Sequence, residues 1–123
     1  MKAILDDSTS IYLQISQSIE DDIFHGVIKE EDPVPSTNQL ARHYMINPAT
    51  AAKGVSLLAA DGIIYKKRGI GMYVKTGAKE IILNKRRMEF EQSFTELLHK
   101  ARTLGIAKSD LIKILEEESN NAK

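Results

Sequence analysis

The chain has no cysteine, which excludes disulfides, thiolate metal sites and a cysteine nucleophile, and suits a reducing compartment. No apolar run approaches the roughly 18 residues that a membrane span needs, so no membrane partner is expected. The opening stretch "MKAILDDSTS" carries a short apolar patch but no secretory core; a cytoplasmic protein is the expectation. The three histidines, His25, His43 and His99, are scattered without paired or H-x-x-x-H spacing, so neither a metal centre nor histidine catalysis is expected. No carboxylate lies in a motif that would poise it for acid–base work. These absences point away from an enzyme and give no reason to expect a cofactor.

Net charge is also missing, because 17 basic groups balance 17 acidic ones. The balance is uneven along the chain. Residues 1–33 hold 2 basic and 8 acidic groups, whereas residues 34–77 hold 6 basic groups and Asp61 alone as an acid; residues 78–123 are nearly even at 9 and 8. A basic island between acidic and neutral flanks is the electrostatic footprint of a surface that meets a polyanion. The acidic first third and the "EEE" run at 116–118 are expected to be solvated faces that discourage wrong docking.

With 123 residues, 42% of them hydrophobic, the chain can bury one modest core and carry a small appendage. Ile11, Ile15, Ile19 and Ile23 recur every fourth residue and predict an amphipathic helix, with Ser10 as N-cap and Gly26 as stop. Two prolines in "VIKEEDPVPS" exclude a helix interior there. "STNQLARHYM" then predicts a short helix capped by Ser36, with Leu40 and Tyr44 inward. "NPATAAKGVSLLAADG" predicts another: Asn47 caps it, Pro48 occupies the first helical position where a missing N–H costs nothing, and Gly62 closes it. "IIY" and "MYV" read as two strands joined by "KKRGIG", a hairpin. Tyr12, Tyr44, Tyr65 and Tyr73 are expected to pack rather than to stack on bases.

Two short helices joined by "YMIN" form a helix-turn-helix, and a hairpin directly after the second helix forms a wing. The second helix is the candidate for the major groove, which is wide enough to admit one. At the hairpin tip, Lys66, Lys67 and Arg68 can follow the phosphate backbone, while Gly69 and Gly71 let the main chain approach closely. An arginine there can enter a narrow A·T-rich minor groove.

From Gly26 to Val74 the chain resembles the DNA-binding domain of the GntR family of bacterial winged-helix transcription regulators. The resemblance rests on "VPSTNQLA", on "NPATAAKGVSLLAADGII" and on a wing of the form "RGIGMYV"; the "NP.T" start and the short helical tail are similar to the YtrA subfamily. It implies that Ser36 and Thr37 meet a phosphate at the second helix's N-terminus, that Asn38 stands where many members contact DNA through arginine, and that Asn47, Ala49, Thr50 and Lys53 form the reading end of the recognition helix. It implies Lys67, Arg68 and Gly69 at the wing tip. Two departures stand out: Ala52 replaces a frequent arginine, and "KEEDPVPS" lacks the usual glycine and arginine before the proline–serine pair. Base reading therefore falls on few polar groups, chiefly Thr50 and Lys53, and Glu30, Glu31 and Asp32 have to point away from DNA.

Beyond residue 78, Phe90, Phe94, Leu97, Ala101 and Leu104 follow 4, 3, 4, 3 spacing, a heptad-like seam. Gly105 ends that helix, "AKSDLIKILEEE" predicts a second, and the "NNAK" tail reads as disordered. Such a seam is hard to bury inside so small a domain and is expected to mate with a second copy. The expected architecture is mainly α with a small β-hairpin: an N-terminal winged helix-turn-helix at 1–77 and a C-terminal two-helix dimerisation tail at 78–123. The expected function is that of a homodimeric repressor on a pseudo-palindromic double-stranded DNA operator. The alternative is a winged-helix adaptor whose partner is a protein. No small-molecule effector is identified by the sequence, and one, if it exists, has room only between the tail helices or at the dimer interface.

Overall fold

A computed structural model describes residue 1 and residues 4–121. The elements run α1 (Ile11–Phe24), α2 (Thr37–Tyr44), α3 (Pro48–Ala60), β1 (Ile64–Lys67), β2 (Gly71–Val74), α4 (Ala78–Thr103) and α5 (Lys108–Asn121). This is the expected mainly helical chain with one hairpin. The expected disorder of the "NNAK" tail fails for Asn120 and Asn121, which continue α5; the final two residues lie outside the described ones.

The chain divides into two compact units, Met1–Lys85 and Arg86–Lys123. The first unit holds the core. Ile15, Ile19 and Ile23 of α1, set on one face by their fourfold spacing, are buried together with Leu40, Leu58, Ile63, Ile64 and Val74. Ala78 and Ile82 join them, so the start of α4 belongs to this unit. The gain at each buried aliphatic side chain is about 1.5–3 kcal/mol.

Local chemistry sets the helix boundaries. The Ser36 hydroxyl accepts from the Gln39 N–H (3.1 Å) while the Gln39 side chain accepts from the Ser36 N–H (2.8 Å), a reciprocal capping box. Asn47 Oδ1 accepts from the Ala49 N–H at 2.8 Å, and Pro48 follows it. Ser10 precedes α1 but caps it through its carbonyl, which accepts from Leu13 and Gln14 at 3.1 Å. Between α2 and α3, Met45 adopts φ 55 in the left-handed region, which turns the chain sharply without a glycine.

β1 and β2 pair antiparallel, with Tyr65 opposite Tyr73 and Lys67 opposite Gly71. A third extended segment lies on the outer edge of β2: Glu31 N–H donates to Val74 O (2.8 Å), Val74 N–H to Asp32 O (2.9 Å) and Val34 N–H to Met72 O (3.0 Å). The wing is therefore held on both sides of β2.

The expectation that the acidic first third is uniformly solvated fails at Glu20. Its side chain is only 4% exposed and accepts from Lys85 Nζ at 2.8 Å; the same ammonium lies 3.1 Å from Asp61, at the end of α3. Burial works against the Lys85 charge, but the hydrogen bonds to Glu20 and Asp61 outweigh it and raise its pKa above the ordinary lysine value. A raised lysine pKa contributes stability that is complete below the unfolded value and is lost as pH climbs through the folded one. Replacing Lys85 by Met removes the cation from a buried carboxylate, and urea unfolding should record a loss of about 2–3 kcal/mol.

Candidate nucleic-acid interface

On α3, Ala51, Gly54, Val55 and Leu58 face the core, which leaves Ala49, Lys53 and Ser56 as the exposed ridge, with Thr50 and Ala52 half-buried beside it. The ridge follows from i, i+4 and i+7 spacing. Only Lys53 on it is long enough to reach far into a groove. Its ammonium stands 4.0 Å over the ring of Tyr12 in the first turn of α1. The two helices come this close because position 54 has no side chain: a Cβ there would meet the Tyr12 carbonyl at 2.8 Å and the Ile15 side chain at 3.2 Å.

The other expected contact residues fall into three groups. Ser36, Thr37 and Asn38 stand at the start of α2, with Asn38 exposed and Thr37 half-buried. Asn47 stands exposed at the start of α3. At the wing, Lys66, Lys67, Arg68, Gly69 and Ile70 are all exposed. Gly69 has φ 73 and Gly71 φ 139, backbone that a side chain disfavours, which is why this tip needs glycine. Strand alternation puts Lys67 on the face of Tyr65 and Tyr73; its ammonium lies 4.8 Å from the Tyr73 ring. Lys66 takes the opposite face, level with Met72.

Glu31 adopts φ 68, in the left-handed region that favours glycine. Its carboxylate accepts from Tyr65 OH (2.6 Å), Thr76 Oγ1 (2.6 Å) and the Thr76 N–H (3.1 Å), and Glu30 accepts from the Gly77 N–H. These acids are turned into the wing's base, a role that charge counting alone did not reveal. The Thr76 and then the Tyr65 hydroxyl hold the Glu31 pKa below its ordinary 4.5, and Glu31 in turn raises Tyr65 above 10.0. The depressed acid contributes above its unfolded value and fades as pH falls through the folded one; the raised phenol contributes below 10.0 and fades as pH rises past its folded value. Hydrogen exchange at the Thr76 amide should therefore be slow, relative to its intrinsic rate, between these limits. It should speed up on acidification below 4.5, and Glu31→Gln should show the faster exchange already at pH 7.

In the second unit, Phe90 (67% exposed), Leu97 (60%) and Leu104 (68%) stand open, as Phe94 does to a lesser degree, whereas Ala101 is buried at 7%. The Phe90 and Phe94 rings stack at 6.2 Å. Phe94, Leu97, Leu104, Leu111 and Leu115 border an almost wholly apolar cleft of about 340 Å³ between α4 and α5. Among the described residues there is no group of His, Asp or Glu able to hold a metal ion, and no helix is long and apolar enough to cross a membrane.

Bacterial regulatory proteins of the gntR family match residues 11–74. The HTH-type transcriptional repressor YtrA of Bacillus subtilis (strain 168) is 30% identical over 116 residues, which span 94% of this chain and 89% of that protein. A GntR-family regulator from Bacteroides thetaiotaomicron superposes with a TM-score of 0.77 at 33% identity, over 92% of this chain and 99% of the other. A GntR-family regulator from Listeria monocytogenes does so with a TM-score of 0.71 at 29% identity, over 92% and 98%. These relatives are transcription regulators, not enzymes.

Proposed function

We propose, from the premise that this chain belongs to the gntR family of bacterial regulatory proteins, that it is a cytoplasmic repressor that binds a pseudo-palindromic DNA operator as a homodimer. In this reading, residues 1–77 bind DNA and residues 78–123 dimerise. The observation that carries it is the sequence of parts: a capped helix with an exposed Ala49–Lys53 front, followed at once by a hairpin whose tip bears Lys66, Lys67 and Arg68. That segment lies in the basic island of residues 34–77.

Each residue has a role fitted to its chemistry. Ser36 uses its oxygen for the helix cap and keeps its hydroxyl hydrogen for a phosphate, beside Thr37 and the dipole of α2. Asn47 spends Oδ1 on the Ala49 amide, leaving its N–H groups to donate to DNA, with Asn38 as a further backbone contact. Ala49 meets a thymine methyl, and Thr50 and Lys53 hydrogen-bond base edges. Lys67, Arg68 and the Gly69 main chain follow the flanking backbone.

The tail supplies the second half-site. Burying the exposed parts of Phe90, Phe94, Leu97 and Leu104 from both copies removes apolar surface from water, the main driving force for such an association. Ala101, already buried within one chain, adds little surface to the seam. A dimer with two-fold symmetry requires a matching pseudo-palindrome. Selection from duplexes with a randomised core, followed by light scattering of the complex, tests the proposal. It predicts an inverted repeat bound by two copies; enrichment of no sequence would reject it.

A further inference from the structure

Thr50 and Lys53 are the side chains of α3 that the reading above sets against base edges, and Lys53 is a flexible point charge. By itself such a group gives affinity more readily than selectivity, because its ammonium can reach several acceptors equally well. Here the ammonium is not loose: it stands 4.0 Å over the Tyr12 ring. Tyr12 can serve as that platform only because Gly54 lets α1 approach α3 so closely that any Cβ would meet the Tyr12 carbonyl. Two observations of different kinds, a cation seated on an aromatic face and a helix crossing with no room for a side chain, thus converge on the same place. Tyr12 itself is half-buried, so its ring, under the Lys53 ammonium, is not sealed in the core.

We propose that Tyr12 is a specificity-determining positioning residue: its ring aims the Lys53 ammonium at the O6 and N7 acceptors of one guanine in each half-site. The ring quadrupole attracts the cation from one face, and the hydrogens not turned to the ring stay available to acceptors. Lys53 then enters the groove already oriented, and bases that place a donor at that point are rejected. The inference rests on the DNA reading above. It adds a residue of α1, which makes no base contact in that reading, to the determinants of sequence choice.

The test repeats the randomised-duplex selection with variants and compares the base preference at each position. The unaltered chain should show a guanine favoured by about 10-fold at one position per half-site. Lys53→Ala should erase that preference, Tyr12→Met should reduce it to within about 2-fold, and Tyr12→Phe should keep it. Because Tyr12→Met also alters packing, phenylalanines bearing increasing numbers of ring fluorines are placed at position 12. They keep the ring's shape while draining its negative face, and the guanine preference should decline step by step with fluorination. A preference that survives Tyr12→Met, disappears equally in Tyr12→Phe, ignores fluorination, or persists in Lys53→Ala overturns the inference. If the unaltered chain selects no sequence at all, the DNA reading itself fails.

Discussion

A chain carrying Phe90→Glu and Leu97→Glu runs as a monomer in light scattering and holds a full operator about 10²–10⁴-fold more weakly than the unaltered chain, while its affinity for an isolated half-site is unchanged. The size of the loss follows from linkage. Once one winged helix is bound, the tail presents the second at an effective concentration near the millimolar range, and this avidity disappears when the copies separate. Both positions are more than half exposed, and glutamate is a good helix former, so the substitutions leave α4 intact. They set like charges against one another across the proposed seam. An unchanged dimer would mean that the copies meet elsewhere, and an unchanged operator affinity in a proven monomer would mean that half the site suffices.

The wing carries the second large effect. Replacing Lys66, Lys67 and Arg68 together by alanine removes six cations from a dimer, which should lower the slope of log affinity against log salt by about 5 and weaken operator binding roughly 100–1000-fold near physiological salt. Thermal unfolding should barely change, because all three side chains are exposed and the hairpin is held below its tip by the Val74, Asp32 and Glu31 bonds. Arg68→Ala alone should flatten any preference for A·T pairs at the flanks of the site, where a narrow minor groove attracts an arginine. Loss of affinity with the salt slope unchanged would contradict a phosphate-tracking wing.

Features set by neighbouring residues could be read from the sequence. The caps at Ser36 and Asn47, Pro48 at the head of α3, and the glycine-bearing hairpin tip each depend on a few adjacent positions. The fourfold isoleucine spacing of α1 likewise identified its buried face. What escaped detection depends on partners far apart in the chain. Glu31 and Tyr65 are 34 positions apart, and Glu20 and Lys85 are 65 apart; local composition made these acids look like solvated charge. The Tyr12–Lys53 contact was hidden because a tyrosine beside an isoleucine stripe looks like packing. Gly54 was the available signal, since a glycine inside a helix costs about 1 kcal/mol relative to alanine and so asks for a reason. The division between compact units also reflects such contacts: α4 is continuous, yet its start at Ala78 and Ile82 is buried in the first unit's core.

Everything functional here depends on a cationic protein surface displacing counterions from duplex DNA. Titrating the selected duplex with the chain across 50–300 mM salt measures this directly. A dimer touching about 8–12 phosphates should give a straight log–log line with a slope of roughly −7 to −11. A slope no steeper than about −2 would contradict the account and favour a protein partner for the winged helix.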